Sequence, residues 1–73
     1  MIKVNGEITE NIADKTVTEY LTESGYDLKR VAVELNGDIL PKAQYEITLL
    51  QDGDNVEIVS FVGGGWYDKG RMA

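Results

Sequence analysis

The sequence predicts a small α+β domain, a mixed sheet of four to five strands with one main helix packed on it. Three observations carry this expectation. Two Asn-Gly pairs, Asn5-Gly6 and Asn36-Gly37, each sit between stretches suited to strands, which is the strongest short-range hairpin signal. A helix-start signature, Thr16-Val17-Thr18-Glu19, lies between the two hairpins. A long apolar-rich stretch from Asn55 to Val62 closes the patterned part of the chain and suits a strand in the middle of a sheet.

Taken in order, Met1 to Val4 alternates apolar and polar residues, and Asn5-Gly6 turns the chain into a returning strand from Glu7 to Ile12. Ile2, Val4, Ile8 and Ile12 are the expected inward residues. In the helix, the Thr16 oxygen is expected to accept from an early backbone N–H while Glu19 reaches back to the cap. Val17, Tyr20 and Leu21 then share one apolar face, and Gly25 marks the stop. A helix this short must be held by packing on the sheet. Val31 to Leu35 and Asp38 to Leu40 form the second strand pair around Asn36-Gly37. Pro41 to Tyr45 reads as a turn or short 3₁₀ segment, and Glu46 to Leu49 as a short edge strand. Asp52-Gly53-Asp54 is a turn into the last strand, and regular structure is expected to stop after Val62.

Hairpins supply antiparallel pairs, while the first and last strands, entering from opposite ends of the molecule, can meet in parallel. That arrangement is the β-grasp roll. A ferredoxin-like fold also mixes strands and helices, but it needs two helices and only one helical pattern is present. The expected organisation is a domain over residues 1–62 followed by a glycine tail and extension over 63–73.

A chain of 73 residues supports one small core. Cysteine and histidine are both absent, which removes disulfides, the best thiol nucleophile, the commonest general base and the usual transition-metal ligands. Stand-alone catalysis is therefore not expected, and neither is a bound metal or cofactor. Asp52 and Asp54 flank a glycine, but the remaining positions of a calcium loop are missing. The absence of cysteine and of a long apolar run fits a cytoplasmic protein. Thirteen acidic against seven basic residues give a net charge of -6, which disfavours nucleic acid and anionic lipid and suits a basic protein partner. Tyr20 and Tyr45 are expected to line the core with their hydroxyls in water rather than to react.

The segment with chemical promise is Gly63-Gly64-Gly65, directly after Ser60-Phe61-Val62. Three glycines have no side chain with which to pack a sheet. They suit a thin extension that threads a narrow channel and presents its last carbonyl to an enzyme, because a Cβ would meet the walls. A plain linker is the alternative. A phosphate-binding loop and a dinucleotide fingerprint are excluded, since neither the spacing nor a following helix with the required lysine is present.

The order Val4-Asn5-Gly6, Thr16-Val17-Thr18-Glu19-Tyr20-Leu21 and Val31-Ala32-Val33-Glu34-Leu35-Asn36-Gly37 resembles the ThiS-type sulfur carriers of the ubiquitin-like MoaD/ThiS group. Leu40-Pro41 with Tyr45, the run from Asp52 to Ile58, and Phe61-Val62-Gly63-Gly64-Gly65 continue the likeness, so it covers residues 1 to 65. The resemblance implies a carrier whose terminal glycine carboxylate is adenylated with ATP by a ThiF-type enzyme. Sulfur then replaces AMP, and the thiocarboxylate supplies a ThiG-type thiazole synthase in thiamin biosynthesis. Gly65 is the implied reactive terminus, with Gly64 the alternative. ATP and magnesium belong to the partner enzyme.

One departure stands against the family pattern. Such carriers end at the glycine, whereas this chain continues from Trp66 to Ala73. Release of a carboxylate by a tail-processing protease is the expectation that reconciles the two; a tail foreign to the native protein is the plain alternative. Trp66 and Tyr67 folding back as a plug is a further possibility.

For docking, the sheet face beside the tail is the expected surface. Gly63, Gly64, Phe61, Val59 and Leu49 are the candidate contacts, and Asp52, Asp54 and Glu57 the candidate steering charges. Core filling is the competing role for the apolar ones. Three other functions fit the same pattern: a MoaD-like carrier for molybdopterin synthesis, a non-catalytic β-grasp binding module, and a ubiquitin-like modifier attached to lysines.

Overall fold

The computed structural model describes residues 1–61, and they form a five-stranded mixed sheet with one α-helix on a single face. The strands are β1 (Ile2–Val4), β2 (Glu7–Thr9), β3 (Val31–Leu35), β4 (Asp38–Leu40) and β5 (Asn55–Ser60), and the helix α1 is Val17–Glu23. Their order across the sheet is β2-β1-β5-β3-β4, so the last strand occupies the centre. β5 runs parallel to β1 on one side and antiparallel to β3 on the other. This is the β-grasp arrangement.

Both hairpins turn on the expected asparagine and glycine. Asn5 and Gly6 have φ of 52° and 85°, and Asn36 and Gly37 have 53° and 90°. Two successive left-handed residues make a type I′ turn, whose twist matches that of paired strands. Because each loop has only two residues, register is fixed from the turn outward: Val4 faces Glu7, Lys3 faces Ile8, and Ile2 faces Thr9.

The helix begins at Thr16 with the full capping box. The Glu19 N–H donates to the Thr16 hydroxyl oxygen at 3.0 Å, and the Thr16 N–H donates to the Glu19 carboxylate at 2.8 Å. It ends at Ser24 with Gly25 left-handed at φ 86°. The Gly25 N–H reaches the Thr22 carbonyl and the Tyr26 N–H the Leu21 carbonyl, the paired bonds of a Schellman stop. With both ends satisfied, the helix has only to bury one stripe.

That stripe is Val17 and Leu21, which meet Ile2 and Val4 from β1, Val31 and Val33 from β3, and Val56 and Ile58 from β5. Ile12, Tyr45 and Leu50 complete the core from the connections. Tyr45 is only 4% exposed and lines the core as the sequence suggests, and burial pushes its phenol above its ordinary pKa.

Three local expectations are corrected. The second strand ends at Thr9 rather than Ile12; the chain then bends through Asn11 and Asp14, both left-handed at φ 66° and 69°, and this bend brings Ile12 into the core. Ile8 is not an inward residue but is 53% exposed, since its place opposite Lys3 puts it on the outer face. Glu46 to Leu49 is not a strand: turns lead to a single antiparallel bridge between Leu49 and Thr16. Ile47 is accordingly 70% exposed, and it is Leu50, not its neighbour, that fills the core. Two 3₁₀ segments occur among the described residues, the expected one at Lys42–Gln44 and an unforeseen one at Leu28–Arg30, where the Lys29 N–H donates to the Asp27 carboxylate at 2.9 Å.

Candidate functional site

The candidate site is the end of β5 and the sheet surface around it, because β5 is the strand that leads to the glycines. Its backbone is held along its length. The Asn5 N–H donates to the Val56 carbonyl at 2.8 Å, and the Asn5 side-chain oxygen accepts from the Ile58 N–H at 2.8 Å. On the opposite edge the Asn36 N–H donates to the Asn55 carbonyl, and the Asn36 side-chain oxygen accepts the Asn55 N–H, both at 2.8 Å. The Asn36 amide also donates to Asp54 at 3.0 Å. The same asparagines that permit the left-handed turns thus clamp the central strand from both sides. Among the described residues the last bond runs from the Phe61 N–H to the Arg30 carbonyl at 2.7 Å.

Alternation along the strands divides the sheet. Val56 and Ile58 face the helix, and Asn55, Glu57 and Val59 face outward. The pairing register then lays out the open face in rows. Val59 lies opposite Ala32, and in the next row Glu57 lies opposite Glu34, which faces Ile39 on its other side. Lys3 stands beside Asn55 with Ile8 beyond it. Val59 is 39% and Ile39 75% exposed, so neither serves the core.

Of the residues singled out from the sequence, Val59 lies on this open face and Phe61 directly beyond it, half-buried. Leu49 is 45% exposed but belongs to another element, the bridge to Thr16 at the start of α1. Gly63, Gly64, Gly65, Trp66 and Tyr67 lie outside the described residues. The steering candidates also separate. Asp52 binds the terminal amine of Met1, and this hydrogen bond, then the charge of the amine, hold its carboxyl below the usual range. Asp54 accepts from Asn36 and from the Gln51 N–H at 2.8 Å. Both carboxylates are engaged within the fold, whereas that of Glu57 makes no ion pair or hydrogen bond among the described residues. Glu34, Ala32 and Ile39 were not anticipated as site residues. The place of Glu34 opposite Ile39 follows from the Asn36-Gly37 turn, but its place opposite Glu57 depends on the β3–β5 register, which no local motif fixes.

Among the described residues no group of three or more His, Cys, Asp or Glu is placed to hold a metal ion, and no helix is long and apolar enough to cross a membrane. What the site offers is a backbone-clamped strand leading to a glycine run, beside an open, partly apolar, acidic face.

The family model for the ThiS family matches residues 1–65, ending at Gly65, and the chain belongs to that family. The sulfur carrier protein ThiS of Thermus thermophilus is 40% identical over 65 residues, a match covering 89% of this chain and 100% of that one. A thiazole synthase of Paramagnetospirillum magneticum is 47% identical over 62 residues, covering 85% of this chain but only 19% of the synthase; the chain thus spans about a fifth of that relative. The solved structure of ThiS from Geobacter metallireducens superposes with a TM-score of 0.70 at 36% identity, covering 88% of this chain and 97% of that one.

Proposed function

We propose that this chain is a sulfur carrier for thiazole formation in thiamin biosynthesis, working through a thiocarboxylate on Gly65. The observation that carries the reading is that the family match ends at Gly65, the last residue of a glycine run fed by the clamped central strand. A carboxylate is a poor electrophile. In the proposed sequence the Gly65 carboxylate oxygen attacks the α-phosphate of ATP on a ThiF-type enzyme, and pyrophosphate leaves. A sulfide-level nucleophile then attacks the acyl carbon, AMP departs, and the thiocarboxylate remains. The chain itself supplies a substrate, not a catalyst, and binds no cofactor.

The acceptor is a ThiG-type thiazole synthase. Supporting this, two thiazole synthases, from Paramagnetospirillum magneticum and Magnetococcus marinus, contain a segment similar to this chain. Val59, Phe61, Leu49 and the glycines Gly63 and Gly64 are the proposed contacts with partner enzymes. Because Trp66 to Ala73 follow Gly65, a protease must first expose the carboxylate, after Gly65 or alternatively after Gly64.

The test is incubation of a version ending at Gly65 with ATP, a ThiF-type enzyme and a sulfur source. A mass increase equal to the exchange of one oxygen for sulfur is expected. A competent enzyme that leaves the mass unchanged overturns the reading. The full-length chain is expected to stay unmodified in the same mixture unless a processing protease is added.

A further inference from the structure

Resting on that carrier reading, we propose that the open face of the sheet docks the adenylating enzyme, and that the facing carboxylates of Glu34 and Glu57 receive a basic side chain of that enzyme between apolar contacts at Val59, Ala32 and Ile39.

The covalent geometry of the chain sets where the enzyme must be. Gly65 lies four residues beyond Phe61, whose N–H is the last bonded to the sheet among the described residues. At full extension those residues span at most about 14 Å. An enzyme that encloses the Gly65 carboxylate therefore brings its own surface within reach of the Val59 end of the sheet. The opposite face is closed to it, because α1 and the core residues Val17, Leu21, Val56 and Ile58 fill that side. The open face is what remains beside the strand.

The composition of that face defines its occupant. Val59 and Ala32 form an apolar pair nearest the tail, and Ile39 extends the apolar surface to the outer strand. In the row next to Val59 and Ala32 stand Glu57 and Glu34, directly opposite one another across β5 and β3, with Ile39 beyond Glu34. Like charges in that position oppose sheet formation. Lys3 lies one strand away beside Asn55, and no ion pair joins it to either glutamate among the described residues. Three other acidic residues are engaged within the fold: Glu19 with its cap, Glu23 with Lys15 at 3.0 Å, and Asp54 with Asn36. The free protein thus bears a repulsion that one cation resolves. An arginine fits best, since its planar fork can bind both carboxylates while its flat faces lie against Val59 and Ile39. The overall charge of -6 favours the same sign of partner at longer range.

This arrangement separates stability from docking. In a version ending at Gly65, E34Q, E57Q and the double variant are expected to match or exceed the parent's resistance to urea, because a repulsion is removed. In adenylation followed by pyrophosphate release, the double variant is expected to raise the KM for the carrier by roughly tenfold, with the effect on KM and not kcat. The parent's kcat/KM is expected to fall with added salt, and that slope to flatten in the double variant. Turnover with an unchanged KM and salt slope overturns the docking and leaves the carrier reading standing. No turnover of the parent by a competent enzyme overturns the carrier reading and the docking with it. Self-association that needs Glu34 and Glu57 assigns the face to a second copy instead and also overturns the proposal.

Discussion

The two faces of the sheet are built from the same strands, yet they answer to different demands. Toward the helix, Val31, Val33, Val56 and Ile58 are buried with Leu21 at their centre. One residue along each strand, the outward positions are Ala32, Glu34, Glu57 and Val59, mixing apolar with like-charged side chains. The buried face is locally consistent, every residue favouring the fold. The open face is not, and such a conflict in an otherwise consistent domain is where function is expected. The comparison is sharpened by substitutions that strike one face and spare the other.

The largest effect is expected on the buried face. Leu21 is 0% exposed, and Leu21→Ala leaves a cavity where helix and sheet meet. A loss of about 2–5 kcal/mol is expected, a large part of the stability of so small a domain. Urea denaturation followed by circular dichroism measures it. A loss below about 1 kcal/mol would show that the helix contributes little to the fold and would break the contrast between faces.

The next effect lies in the plane of the sheet, where the two turn asparagines hold β5. Their side chains bind it differently: among the described residues that of Asn5 only accepts, from the Ile58 N–H, while that of Asn36 accepts from the Asn55 N–H and also donates to Asp54. Asn36→Asp turns that donation into a meeting of two carboxylates and is expected to cost about 1–3 kcal/mol at neutral pH. Asn5→Asp keeps its acceptor and is expected to cost less. Urea denaturation midpoints of the two variants at neutral pH test the clamp. Equal losses in the two variants would refute the distinction.

These cases show what could be read before any coordinates. The strand pairs, capping box, helix stop and turn positions were legible because each is governed by residues close in sequence. The fate of Ile8 was legible as well: a two-residue loop at Asn5-Gly6 places Glu7 opposite Val4 and therefore Ile8 opposite the outward Lys3. Its apolar character alone gave the wrong face. The choice between Leu49 and Leu50 was not legible, because it depends on the Leu50 N–H meeting the Lys15 carbonyl, at 2.9 Å, across a long separation in sequence. The candidate site divides in the same way. Val59 follows from alternation along β5, whereas the meeting of Glu34 and Glu57 depends on two strands brought together by the whole fold.

A smaller effect concerns Tyr45, buried at the rim of the core. Its folded pKa is raised, chiefly by burial and partly offset by a backbone hydrogen bond with Val33. A phenol with a raised folded pKa contributes stability that is present below its unfolded value and is lost as pH rises through the folded one. Stability should therefore decline above about pH 10, where the unfolded phenol ionises. Tyr45→Phe keeps the ring and removes the hydroxyl, at an expected cost of about 1 kcal/mol at neutral pH. The variant should show a shallower alkaline decline; an unchanged decline would locate that transition elsewhere.

The smallest effect on stability, and the sharpest test of the contrast, is at Val59. It is 39% exposed, and Val59→Ser introduces a polar group where the free protein meets water. The denaturation midpoint is expected to move by no more than the equivalent of about 0.5 kcal/mol. If the open face serves partners, the same substitution should weaken docking, because Val59 loses its apolar contact with the enzyme while the strand beneath it stays clamped by Asn5 and Asn36. Measured with a version ending at Gly65, the KM for adenylation should rise while the melting curve stays in place. A destabilised variant with unaltered KM would reverse the assignment and make Val59 a structural residue, leaving the open face without the role that distinguishes it from the buried one.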